Sequence, residues 1–259
     1  MSNSNAKTGI RVARELVQSI YDKGLQPGDR YLSEADALKE HGVSRATYRE
    51  AMRFLEFQGV LGVKVGAGGG TVVAHPDWRN LASAIGLLLQ FSGTSLSQVM
   101  AARTALEPAM AAQSARNVSA EQIAKMRRFL AEAEQSIDDA DRFLSAYRSF
   151  WHCVADATGN PVTAELWKAL RALIDTGRFV PNERYRGQLV TFLREMLDAM
   201  DSRDAEAAHA LIVRLNAELA QRLERDYPLR VGKVMAWSDV TDQIDEYADR
   251  IGMIDPDRI

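Results

Sequence analysis

The sequence is poor in the groups that build most catalytic and membrane sites. Cys153 is its only cysteine, so no internal disulfide can form and a reducing compartment is expected. Of the four histidines, His41 and His75 lie in the first 77 residues, leaving only His152 and His209 beyond them. A three-histidine metal site in the larger, C-terminal part is therefore excluded. The longest apolar run, Ile85-Gly86-Leu87-Leu88-Leu89, falls far short of the roughly 20 residues a membrane span needs. Met1 to Lys7 is polar and carries no apolar stretch of the secretory type. A cytoplasmic protein with no membrane partner is the expectation. Adjacent His152 and Cys153 would project roughly 100° apart on a helix, so they make no nucleophile–base pair. No Gly-Lys-Ser/Thr follows the glycines at 66–70, which rules out a phosphate loop, and no zinc-protease motif occurs. Nothing points to an enzyme, a metal or a cofactor.

Strong net charge is also absent. The chain carries −3 overall, with 10 Lys/Arg against 9 Asp/Glu in residues 1–77 and 22 against 26 in the remainder. Any nucleic-acid affinity must come from local placement of arginines and from pairing of two chains, not from a general basic field.

What is present begins at Gly42. Ser44 is a good helix N-cap, because its hydroxyl can accept from the free N–H groups of the first turn. Tyr48, Ala51, Met52 and Leu55 then fall at spacings of three and four and form one apolar stripe. Arg45, Arg49 and Arg53 repeat every four residues on another face, where guanidiniums can bond phosphates or the O6/N7 edge of guanine. A solvated charged face is the competing reading of those arginines. Upstream, Ser33-Glu34-Ala35-Asp36 fits a capping box that opens a short helix ending at Gly42. Short helix, glycine turn and second capped helix make a helix-turn-helix. Downstream, Gly59 ends the second helix, Leu61, Val63 and Val65 alternate as in a strand, and Thr71-Val72-Val73 returns after the glycine-rich turn. That hairpin is a wing. A preceding helix from Ile10 to Lys23 is expected to bury Ile10, Ala13, Leu16, Val17 and Ile20.

His75-Pro76-Asp77 ends the strand pattern. Beyond it the sequence predicts helices over 80–91, 95–116, 119–137, 141–159, 162–176, 184–201 and 204–225. Seven helices with short loops describe an antiparallel bundle. The fold class is mainly α: a winged helix-turn-helix domain at 8–75, a linker and linking helix at 76–94, an all-helical domain at 95–228, and a tail at 229–259 whose conformation is left open.

The order Pro27-Gly28-Asp29-Arg30, Ser33-Glu34, Gly42-Val43-Ser44-Arg45-Ala46-Thr47-Tyr48-Arg49-Glu50-Ala51, Leu55, Gly59 and a Gly-rich wing closed by Thr71-Val72-Val73 resembles the winged helix of the GntR family of bacterial transcription regulators. The bundle resembles the FadR-like effector domain through Arg103-Thr104-Ala105-Leu106-Glu107, through Phe150-Trp151-His152 with Gly159-Asn160-Pro161, and through Arg203-Asp204-Ala205-Glu206-Ala207-Ala208. The resemblance implies DNA contacts from Ser33, Ser44, Arg45, Ala46, Thr47, Arg49 and Arg53, with Lys64, Gly66 and Gly68 of the wing. Ala35 stands where the family usually has a DNA-contacting arginine. It also implies a homodimer on a palindromic double-stranded operator, with a repressor the expected sense of regulation, and a small-molecule effector bound in the bundle.

Many FadR-like relatives hold a metal with one aspartate and three histidines. Here Arg148, Leu193 and Leu215 stand at three of those places, so no metal is expected. Arg103, Arg148, His152 and Arg178 are the candidate effector contacts, suited to the anionic head of a lipid-like or acyl-type organic acid. The competing reading makes Arg148 a surface residue and His152 a hydrogen-bonded core histidine. Phe150 and Trp151 are expected to pack. An alternative function is a ligand-binding or protein-interaction helical module with weakened DNA binding.

Overall fold

The computed structural model describes residues 2–31, 34–64, 70–175 and 179–241. The described residues divide into two compact units, one over residues 2–80, the other over 81–241.

The first unit is a winged helix. Helix α1 spans Ser2–Asp22, α2 Glu34–His41 and α3 Arg45–Phe57. Helix α1 begins eight residues earlier than expected because Gly9 does not break it. Gly9 instead lets α1 lie close to α3: a Cβ there would be 3.2 Å from the Glu50 carboxylate. The buried face of α1 is Val12, Ala13, Leu16 and Ile20, which meets Tyr48, Ala51, Met52 and Leu55 of α3 in one core. Ile10 and Val17, expected inside, are 43% and 42% exposed. They sit two turns apart on the flank of that face, where the turn-by-turn drift of the helix carries them out.

Strand β1 (Leu61–Lys64) pairs antiparallel with β2 (Gly70–Val73), Leu61 opposite Val73 and Lys64 opposite Gly70. The segment before α2 joins this edge: Val73 N–H donates to Asp29 O at 2.9 Å and Tyr31 N–H to Thr71 O at 3.1 Å. The expected strand end at Val65 and the turn at Gly66 to Gly69 lie outside the described residues.

The second unit is all-helical. Helix α4 (Trp78–Phe91) starts in the first unit and continues into the second. It begins before the expected Asn80 because Asp77 caps it, Oδ1 accepting from Arg79 N–H at 2.9 Å. Then follow α5 (Leu96–Asn117), α6 (Ala120–Gln135), α7 (Ala140–Asp156), α8 (Pro161–Asp175), α9 (Glu183–Asp201), α10 (Ala205–Asp226) and the short α11 (Pro228–Val231). Local chemistry sets the starts: Ser119 accepts from Gln122 N–H, Asn182 from Tyr185 N–H, and Asp204 from Glu206 and Ala207 N–H. Helix α5 packs along α10, α6 against α7 and α9, and α8 against α5 and α7. Their shared core holds Met126, Phe143, Phe150, Trp151, Trp167, Leu193, Met196 and Ile212. Arg203, with φ 55°, reaches back to cap α5 by donating to Arg116 O at 3.0 Å and Val118 O at 2.8 Å. Of the tail, residues 242–259 lie outside the described residues. Among the described residues no helix is long and apolar enough to cross a membrane.

Candidate nucleic-acid interface

Helix α3 is positioned by its inner stripe and finished at both ends. Ser44 Oγ accepts from Thr47 N–H at 3.2 Å and lies 3.0 Å from Thr47 Oγ1, so the two side chains fix the first turn together. The four expected core residues of α3 are the four that are buried. Burial, then the nearby phenol of Tyr31 and carboxylate of Glu34, push the Tyr48 hydroxyl up to about 12, and this phenol stays neutral. With that stripe inward, Arg45, Ala46, Arg49 and Arg53 are exposed and Thr47 is half-buried. The three arginines therefore do share an outer face.

Arg49 is not idle on that face. Its Nε donates to Glu34 Oε1 at 3.2 Å and its Nη2 to Glu34 Oε2 at 3.3 Å. The pair links the two helices of the motif and holds the guanidinium in a fixed direction. It is solvent-exposed, so it is a weak tie that a phosphate or a guanine edge can replace. Among the described residues Arg45 and Arg53 enter no such pair. Ala35 is exposed on α2. Lys64, at the end of β1, is half-buried. Ser33, Gly66 and Gly68 lie outside the described residues.

The bundle's expected effector residues each have partners of their own where the structure describes them. Arg103 is buried on α5, and its Nε and Nη2 both donate to the Glu107 carboxylate at 2.9 Å. Glu107, fully buried, also accepts from Trp167 Nε1 at 2.7 Å and has Arg171 Nη1 at 4.0 Å. Burial alone would raise its pKa; Arg103 and Arg171 more than reverse this and hold the carboxyl below its ordinary value. Arg148 donates to Asp175 Oδ2 at 2.9 Å on α8, and His152 is half-buried on α7. Arg178 lies outside the described residues. The fully buried residues of α7 are Phe143, Phe150, Trp151, Val154 and Ala155. Phe150 and Trp151 pack edge to face at 5.7 Å, and the Trp151 ring also carries the Arg171 guanidinium at 4.8 Å.

Glu107, Trp167, Arg171 and Asn216 were not among the sequence-derived candidates. For Glu107 the signal was there, since Arg103 and Glu107 are four apart on one helix. The partners from α8 and α10 were not readable locally. Two guanidiniums face one carboxylate here, the Asn216 side chain adds to its stabilisation, and among the described residues Arg171 Nη1 and Trp151 Nε1 are buried without a hydrogen-bond partner. Among the described residues no three His, Cys, Asp or Glu side chains gather to hold a metal. Leu193 and Leu215, at two of the places where metal-bearing relatives place histidine, are buried in the apolar core.

A winged helix-turn-helix with an exposed arginine face, joined by a linking helix to an all-helical domain, is the architecture of a DNA-binding transcription regulator. Comparison with known proteins agrees. The FCD domain family matches residues 98–217, within the bundle. The uncharacterized HTH-type transcriptional regulator YcbG of Bacillus subtilis is 26% identical over 208 residues, covering 79% of this chain and 85% of that protein. The HTH-type transcriptional repressor NanR of Salmonella newport is 26% identical over 219 residues, covering 82% and 84%. In fold, the chain is similar to a Streptococcus agalactiae GntR structure, with a TM-score of 0.63 and 20% identity, covering 82% of this chain and 99% of that one. The protein is a DNA-binding transcription regulator whose bundle matches the FCD domain family, and it is similar to regulators of the GntR family.

Proposed function

We propose that the protein is a cytoplasmic, homodimeric repressor of the FadR-like branch, reading a palindromic operator and released from it by a lipid-like or acyl-type organic acid. The observation that carries the DNA reading is the exposed row Arg45, Arg49 and Arg53 on a helix whose inner stripe and Ser44 cap are both satisfied. Ser33, Ser44, Ala46, Thr47, Lys64, Gly66 and Gly68 complete the interface in this reading.

A single head spans only a half-site, so a symmetric pair is needed for a palindrome. The outer face of α4 supports pairing. Leu81, Leu88 and Phe91 are 37%, 66% and 83% exposed, and no charged residue occurs from 80 to 102. In this reading Arg103, Arg148, His152 and Arg178 meet the anionic head of the effector. The surplus guanidinium beside Glu107 supports an anionic ligand, and the Leu- and Met-rich core around it suits an acyl chain at roughly 0.8 kcal/mol per buried methylene.

The test is a gel shift on the region upstream of the protein's own gene, with sedimentation at micromolar concentration alongside. A dimer that binds this DNA, is released by a long-chain fatty acid or its thioester, and ignores EDTA is expected. A monomer, absence of specific binding, or release by EDTA would contradict the respective part.

A further inference from the structure

Residues 227–241, beyond α10, lie outside the matched FCD segment, yet they are built into the second unit. Met235 N–H donates to Thr94 O at 2.9 Å, and Leu96 N–H to Lys233 O at 3.3 Å. Ser95 and Val234 thereby form an antiparallel bridge across the turn between α4 and α5. Trp237 then spans two turns of α4: its backbone N–H donates to Gln90 Oε1 at 2.7 Å and its indole Nε1 to Ser83 Oγ at 3.0 Å. Val240, 1% exposed, lies against Gly86, where a Cβ would come within 2.8 Å of Val240 Cγ2. Ser83, Gly86 and Gln90 occupy positions i, i+3 and i+7, one face of the helix.

Among the described helices none packs extensively along α4. A single helix of this length is marginal in water without tertiary support. Among the described residues, this segment of chain supplies such support along its bundle end. At its other end, in the first unit, α4 begins at Trp78, and Asn80 fills the space left by Gly59 at the end of the recognition helix.

We propose that residues 233–240 are a strap that holds the linking helix on the effector bundle and makes it the path by which the bundle's state reaches the reading head. This rests on the regulator reading above. Coupling between distant sites needs an element whose arrangement both sites bias, and α4 qualifies only while its bundle end is held.

The test compares the full chain with a Trp237→Ala/Val240→Ser variant, and with Leu229→Ser, at a 91% exposed position, as control. Amide exchange at 81–91 is expected to speed up at least tenfold in the double variant, with protection of α5 to α10 retained. Affinity for DNA selected by the wild-type protein is expected to fall at least tenfold, while affinity for random duplex stays within twofold. The control should match wild type in both. Unchanged exchange at 81–91, or faster exchange with unchanged operator affinity, overturns the proposal. If the double variant loses bundle protection, Gly86→Val, which pushes Val240 away from the helix side, must give both effects or the proposal falls. A wild-type chain that selects no DNA removes the regulator reading, and with it the coupling role, but the exchange arm still decides whether the strap holds α4.

Discussion

Gly59 and Asn80 share a space that takes only one side chain. A Cβ on Gly59 would stand 2.6 Å from Asn80 Oδ1, and Gly59 has φ +74°. The same Oδ1 accepts from Asp77 N–H at 3.2 Å. The end of the recognition helix and the start of the linking helix are thus fitted to each other through one missing methyl group.

Gly59→Ala is expected to destabilise the protein by ~1–2 kcal/mol through the left-handed backbone alone, and further by displacing Asn80. Adding Asn80→Ala should recover the second part but not the first. Thermal unfolding of the three variants checks this; strictly additive losses would show that the contact is loose.

At the DNA face, Arg45→Ala and Arg49→Ala are each expected to weaken specific binding by ~1–3 kcal/mol, and Lys64→Ala to lower the salt slope by about one. Glu34→Gln should change operator affinity by less than about 1 kcal/mol, because the Arg49 pair is exposed. It should also tighten binding to random duplex by removing a negative charge. Fluorescence anisotropy against salt measures all four.

Glu107→Gln leaves Arg103 buried against a neutral amide. A loss of ~3–5 kcal/mol is expected near neutral pH. The carboxyl is held below its ordinary 4.5 in the folded chain. Its contribution is therefore complete above that value and is lost as the pH falls below it. Denaturant melts at pH 7 and pH 4 should show the gap between wild type and variant narrowing in acid. A gap that widens in acid would contradict the assignment.

Cys153 lies in the core, where burial first, and Asp156 second, push its thiol up to about 11. It should react with iodoacetamide at pH 8 at least tenfold more slowly in the native chain than in urea, as read by mass shift. Equal rates would mean that the core around it opens.

The parts of the molecule readable from sequence were those governed by near neighbours. Ser44, Ser119 and Asp204 cap helices with groups two or three residues away, and Tyr48, Ala51, Met52 and Leu55 fix the inward face of α3 by spacing alone. Where the outcome depended on a remote surface, periodicity was insufficient. Ile10 and Val17 share the apolar character of α1's core stripe, and only the direction of approach of α3 places them outside. Glu107 meets Trp167 from 60 positions away, and Glu34 reaches Arg49 across the turn of the motif. Trp237 carried no pattern at all; its place is set by Ser83 and Gln90, two turns of a helix distant by most of the chain.

The most direct measurement is selection of DNA from a pool of random duplexes by the full-length protein, run beside an Arg45→Ala/Arg49→Ala variant. The account predicts that wild type enriches an inverted repeat and that the variant, folded by circular dichroism, enriches none. No enrichment by wild type, or the same repeat enriched by the variant, would contradict the assignment of α3 as the element that reads DNA.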